Sequence, residues 1–275
     1  MTTATAARAT GLGPGRVTQA AVIQSEWIKV RSLRSTWYSL LAALLVIDGL
    51  GTLFSALHAH RVESGNPAGS GIQIDVTQVS LRGVFLAQLA IGVLGVLMVT
   101  GEYSTGMIRS SMAAVPHRQP VLIAKAAVFA ALVFAVSLVG TLAAFLLGQQ
   151  AQASTHEQAT LSTPGAVRAI VGGALFLTLI GLLAVGLGFL IRSTAGAIAT
   201  LFGIVLVAPI LTNALPAPYS TDVAKYLPLN AGTQILTTMH PDPGMLGPWA
   251  GIGVTALYAV VALLAGLLML KRRDV

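Results

Sequence analysis

Ionisable side chains are scarce in this 275-residue chain, so those that fall in apolar surroundings carry most of the chemical information. Asp48 stands inside a long aliphatic run, beside Gly49 and Gly51. A charge at mid-bilayer depth costs about 2.5–3.5 kcal/mol on insertion scales, so Asp48 is expected to face a cavity or a hydrogen-bonding neighbour. Two readings stay open for it. It lines a translocation path and meets a cationic part of a cargo, or it bonds helix to helix, with Asn213, Thr52 or another hydroxyl as partner. Glu102 closes a second apolar run and calls for a nearby arginine or a helix end to cap. Glu26 and Lys29 are i,i+3 neighbours if their segment is helical.

Other chemistries find no support. There is no cysteine, which removes disulfides, thiolate metal sites and cysteine nucleophiles. No GxxxxGK[ST] phosphate loop occurs, so the chain does not cradle ATP in that way. His156-Glu157 resembles the start of a zinc-protease motif, but position 160 is Thr where the second His belongs. His58 and His60 would share a face only on an extended strand, and a solvated loop pair is the simpler reading. No GxSxG elbow is present. The chain itself is expected to be no enzyme, with neither a bound cofactor nor a metal.

The elements that position these residues follow from composition. Hydrophobic residues make up 55% and charged residues 9%, with a mean hydropathy of +0.81, against about 25% charged in soluble domains. So few charges cannot cover a water-facing surface, and lipid must be the solvent. A spanning helix needs about 20 apolar residues. Six stretches qualify, approximately 38–57, 84–100, 121–147, 169–191, 195–215 and 249–270. The fold class is therefore all-α, a polytopic membrane protein. Only Arg192, Ser193 and Thr194 separate spans four and five, which requires a tight hairpin. Residues 1–16 read as a disordered arm and 17–275 as one membrane domain.

Orientation follows from the basic residues. Twelve lie on one side: Arg8, Arg16, Lys29, Arg31, Arg34, Arg109, Arg118, Lys125, Arg192, Lys271, Arg272 and Arg273. Four lie on the other: Arg61, Arg82, Arg168 and Lys225. The positive-inside rule makes the first side cytoplasmic, with both termini there, in the plasma membrane. It also explains the net charge of +7 without invoking nucleic acid.

Two cytoplasmic segments are patterned. On a helix, Ala20, Ile23, Trp27 and Val30 share an apolar face opposite Gln19, Ser25, Glu26, Lys29 and Ser32, with Val22 and Leu33 as blemishes on the polar side. That describes an interfacial helix lying on membrane lipid, with Trp27 as anchor. Between spans two and three, Ser104 or Thr105 is positioned to cap a short helix that Pro116 stops, and Pro120 suits the first turn of span three. Inside the membrane, Pro209 is expected to kink span five. Ala195, Ala199 and Gly203 form a small-residue stripe, as do Gly247 and Gly251, and such stripes permit close helix contact.

These features resemble the membrane subunit of type-two ATP-binding-cassette (ABC) transporters. The match lies in SEWIKVRSLRSTWYSL (Ser25–Leu40), GEYSTGMIRSSMAAVPHRQPVLIAK (Gly101–Lys125) and YLPLNAG (Tyr226–Gly232), each at the corresponding place among six spans. The resemblance implies an elbow helix carrying Glu26, Trp27, Lys29 and Arg31. It implies a coupling region with Glu102, Tyr103, Gly106, Ile108 and Arg109, and a re-entrant element in the last outer loop. It further implies two separate cytoplasmic ATPase subunits that bind ATP and Mg, a second permease copy or paralogue, and a hydrophobic or amphipathic cargo carried outward. Asp48, Pro209 and Asn213 become candidates for the cargo path. An ion-coupled secondary transporter and a non-transporting scaffold are the rival readings.

Overall fold

A computed structural model describes residues 18–65, 74–107, 118–155, 158–217, 219–238 and 244–272. The expected N-terminal arm, Ile108, Arg109, Pro116 and the His156-Glu157 pair lie outside the described residues. Among the described residues there is no strand, and six helices are long and apolar enough to cross a membrane.

In chain order the elements are α1 (Gln19–Ser32), α2 (Arg34–Glu63), α3 (Val76–Ser80), α4 (Gly83–Ser104), α5 (Arg118–Ala151), α6 (Ala166–Ile191), α7 (Thr194–Thr212), α8 (Tyr219–Ala224), α9 (Pro228–Thr233) and α10 (Pro248–Arg272). The six long helices α2, α4, α5, α6, α7 and α10 match the six expected spans. Most run past the apolar limits read from the sequence, because a helix continues through its polar flanks until a cap stops it.

α6 is the hub and packs against α10, α4 and α5. Its most apolar window is 72% buried, against 22% in α7, so α7 presents most of its surface outward. The crossings depend on missing side chains. A Cβ at Gly95 of α4 would stand 2.6 Å from the Gly181 carbonyl of α6, so the two backbones meet where both residues are glycine. α2 lies across α5 and α4, and α1 rests on α5.

The hairpin between spans four and five forms as expected. Arg192 adopts a left-handed φ of 61°, and the Ser193 hydroxyl caps α7 by accepting from the Gly196 N–H at 3.4 Å. Pro209 acts through a π-turn. Residues Gly203–Val207 are wound one residue wider, and the Ala208 N–H reaches back to the Gly203 carbonyl. Proline has no N–H and its ring crowds the carbonyl four residues earlier, so the helix widens just upstream. In the last outer loop, α8 and α9 fold back, and α9 buries Pro228, Leu229, Ala231 and Gly232 against α10. This is the return element expected around Tyr226–Gly232.

Two local expectations are corrected. His58 and His60 lie on α2, which continues to Glu63. At i,i+2 on a helix they diverge, and among the described residues no cluster could hold a metal. Ser104 and Thr105 close α4 instead of opening the next helix. Both hydroxyls bond back to the Gly101 carbonyl, at 3.0 and 2.9 Å, and Gly106 takes the left-handed C-terminal position at φ 72°.

Candidate functional site

The basic end of the bundle is where the sequence candidates meet. α1 starts at Thr18, whose hydroxyl accepts from the Ala21 N–H. It ends at Leu33, where an extended backbone (φ −85°, ψ 106°) breaks the chain before α2. The Trp37 indole donates to the Arg31 carbonyl across that break at 3.3 Å.

α1 packs on the protein through the side on which Glu26 and Val22 stand, the side read as polar with Val22 as a blemish, together with Val30. Val22, Glu26 and Val30, at i, i+4 and i+8, point into the protein, and Val22 packs with Val121 and Ala124 of α5. Ile23, Trp27 and Ile28 stay exposed. The helix turns a carboxylate inward, because the surface it meets on α4 and α5 carries buried charges of its own.

Four side chains close a ring there. Lys125 Nζ, on the first turns of α5, donates to Glu26 Oε2 at 2.6 Å and to Glu102 Oε1 at 2.9 Å. Lys29 Nζ donates to Glu26 Oε1 at 2.6 Å and to Glu102 Oε1 at 3.1 Å. Two carboxylates alternate with two ammonium groups, and α1, α4 and α5 each contribute. Lys125 and Glu26 are 1% exposed at their side chains, so neither is solvated by water and each depends on the others. Lys29 is at the open edge. Burial acts against its charge, but the Glu26 hydrogen bond and the Glu102 and Glu26 charges outweigh it and raise its pKa.

A second tie lies beside the ring. The Arg192 guanidinium sits over the Tyr103 ring at 5.2 Å and donates from Nη2 to the Met269 carbonyl at 3.2 Å. Thr194 donates to the Thr100 hydroxyl at 2.9 Å. These contacts join the end of α4 to the α6–α7 hairpin and the end of α10. The end of α4 is therefore joined by side chains to α1, to α5, and to the α6–α7 hairpin, which Arg192 ties in turn to α10.

Glu26, Lys29 and Glu102 are thus brought together, and Tyr103 is adjacent in sequence. Trp27 and Arg31 are exposed on α1, away from the ring. The expectation that Glu26 and Lys29 form a water-facing polar face is corrected, since Glu26 is buried; among the described residues the partners of Glu102 are two lysines. Lys125 is the residue the sequence reading missed. It counts toward orientation in the sequence, yet it is the fifth residue of the apolar run 121–147. An ammonium there needed a named carboxylate.

The cargo-path candidates are not assembled in one chain. Asp48 is half-buried, and its Oδ1 has no hydrogen-bond partner among the described residues. Neither Thr52 nor Asn213 bonds to it, so the helix–helix bond offered as one reading is not formed. Pro209 is buried and Asn213 is the exposed C-cap of α7.

A family model described as "ABC-2 family transporter protein" matches residues 22–209. The chain belongs to this ABC-2 transporter family. No individual curated protein matches it. The matched region begins inside α1 and ends at Pro209, so it contains the whole charge ring. The chain is accordingly an ABC-2 permease, a multi-pass membrane subunit of a class that works with ABC ATPases.

Proposed function

We propose that this ABC-2 permease is the membrane half of an ATP-driven exporter for a hydrophobic or amphipathic cargo, with the ring of Glu26, Lys29, Glu102 and Lys125 as the joint that transmits the ATPase stroke. Its basic end faces the cytoplasm in the plasma membrane, where two separate ATPase subunits bind ATP and Mg. The exposed Ile23, Trp27 and Ile28 of α1 rest in the lipid interface. A second permease copy or paralogue covers α7, whose Ala195 and Ala199 are exposed and whose Gly203 faces open space. Among the described residues nothing covers that small-residue stripe.

The observation that carries the reading is the ring itself. It holds the elbow-like helix α1 rigidly to the two helices that flank residues 105–117, the segment that resembles a coupling region. A push on that segment moves α1, α4 and α5 as one body. Differential affinity of the ATPase for the two arrangements of this body supplies the bias between inward and outward states. The permease catalyses no covalent step.

The test uses vesicles containing the permease and its ATPase. Glu102→Ala and Arg109→Glu are expected to leave hydrolysis running while the ratio of flux to hydrolysis falls by about 5–150-fold, the range of ordinary coupling energies. Normal coupling in both variants contradicts the proposal. Flux that follows an ion gradient without ATP would point to the secondary-transporter reading instead.

A further inference from the structure

The end of the bundle opposite the charge ring carries a two-lobed groove. The larger lobe has a volume of about 520 Å³ and is walled by Phe54, Leu81, Phe85, Leu86 and Leu236, with Gln78 and Thr233 as polar lining and Arg82 at its edge. The smaller lobe, about 150 Å³, shares Phe54 and Arg82 and adds Leu57, His58, Arg61, Ile74 and Val79. Arg82 therefore belongs to both lobes. Its guanidinium lies over the Phe54 ring at 5.6 Å, which holds it across the junction.

Charge is the unusual feature here. Four basic residues fall on this side of the sequence, and two are already engaged. Arg168 bonds to the Thr237 carbonyl, and Lys225 donates to Asp222 at 2.8 Å. The other two, Arg61 and Arg82, converge on the groove, and among the described residues neither contacts a carboxylate. Glu63 lies two residues from Arg61 and so projects from a different side of α2. Asp75 accepts bonds from the start of α3 and from Thr237 and Thr238, and its carboxylate pairs with neither arginine among the described residues. The intervening segment 66–73 contains no charged residue.

Position decides what anion fits. Arg61 is in the last turn of α2, and Arg82 immediately precedes α4. Both stand where spanning helices leave the apolar layer, the depth of lipid phosphates. Phe85 and Leu86 are each 45% exposed one turn further along α4, so the large lobe opens toward the surface that lipid chains cover. From this we infer that the groove binds one anionic phospholipid, with its phosphate between Arg61 and Arg82 and an acyl chain along Phe54, Phe85 and Leu86. The site is remote from the ATPase-coupling ring and its occupancy does not depend on that reading.

The experiment is native mass spectrometry of the full chain in mild detergent, titrated with phosphatidylglycerol, phosphatidylcholine or inorganic phosphate. Phosphatidylglycerol should bind as a single copy about tenfold more tightly than phosphatidylcholine, as two interfacial arginines would confer. The double variant Arg61→Gln/Arg82→Gln should abolish that preference, while Lys225→Gln keeps it. Phe85→Trp, which fills the large lobe and retains both arginines, should weaken phosphatidylglycerol binding by a similar factor. It guards against a charge variant that merely misfolds. Equal binding of the two lipids, or a preference that survives in the double variant, overturns the inference. Displacement of the lipid by inorganic phosphate at equal concentration also overturns it, because the acyl chain would then contribute nothing.

Discussion

Lys125 and Lys29 make the same two kinds of contact, yet their surroundings separate them. Lys125 is sealed beneath α1, so replacing it with Met leaves Glu26 and Glu102 facing each other without water. Breaking a buried ion pair in this way costs about 3–5 kcal/mol. Lys29 is 23% exposed, so water at the open edge can take its place beside the carboxylates, and Lys29→Met should cost less than Lys125→Met. Equilibrium unfolding in detergent micelles distinguishes the two, and equal losses would contradict the burial argument. The Lys29 link has a defined pH behaviour. Its folded pKa is raised from the ordinary 10.5, so its stabilisation is complete below that value and is lost as pH rises through the folded one. Acidification does not remove the Lys29 contribution through the lysine itself.

At the scale of elements, the bundle depends on backbones that touch. A Cβ on Gly251 of α10 would collide with the Ala231 carbonyl of α9. Gly251→Val should therefore lift α9 off α10, lower stability by about 1–3 kcal/mol, and expose amides 229–233 to hydrogen exchange. Unchanged protection there would mean that α9 is held by something else. The six spans and the hairpin at Arg192 were legible in the sequence, because apolar length and short polar breaks act locally. The return element at Tyr226–Gly232 was implied only by the family resemblance. The burial of Glu26 was not legible. Periodicity assigns the apolar side to lipid and leaves the polar side to water, with no sign that the protein covers it. Which face turns inward was decided by Lys125, ninety-nine residues away from Glu26. Ser104 and Thr105 show the same limit, since a hydroxyl that caps the next helix and one that bonds back to Gly101 look identical in one dimension.

For the whole molecule, the two ends have different characters. The basic end is tied by long side chains: the charge ring and the Arg192 contacts with Tyr103 and Met269. The opposite end is tied by short polar groups. Ser55 and Ser80 are 3.2 Å apart, Gln149 and Gln152 donate into that pair, and Asp75 links α3 to Thr237 and Thr238. These bonds are buried and join α2, α3, α5 and the last outer loop, although Gln152 Oε1 has no partner among the described residues. The account places the mechanical input at the basic end, where α1, α4 and α5 move together against the outward-facing α7. Because the natural chain has no cysteine, two labels can be introduced without background. Gln24→Cys on α1 and Thr200→Cys on α7, both exposed, report that motion as a spin-label distance in the complete transporter complex in lipid. The account predicts a distance that shifts when ATP and vanadate trap the ATPase, and a shift that is lost in Glu102→Ala. A distance indifferent to nucleotide, or one that shifts equally without Glu102, would contradict it.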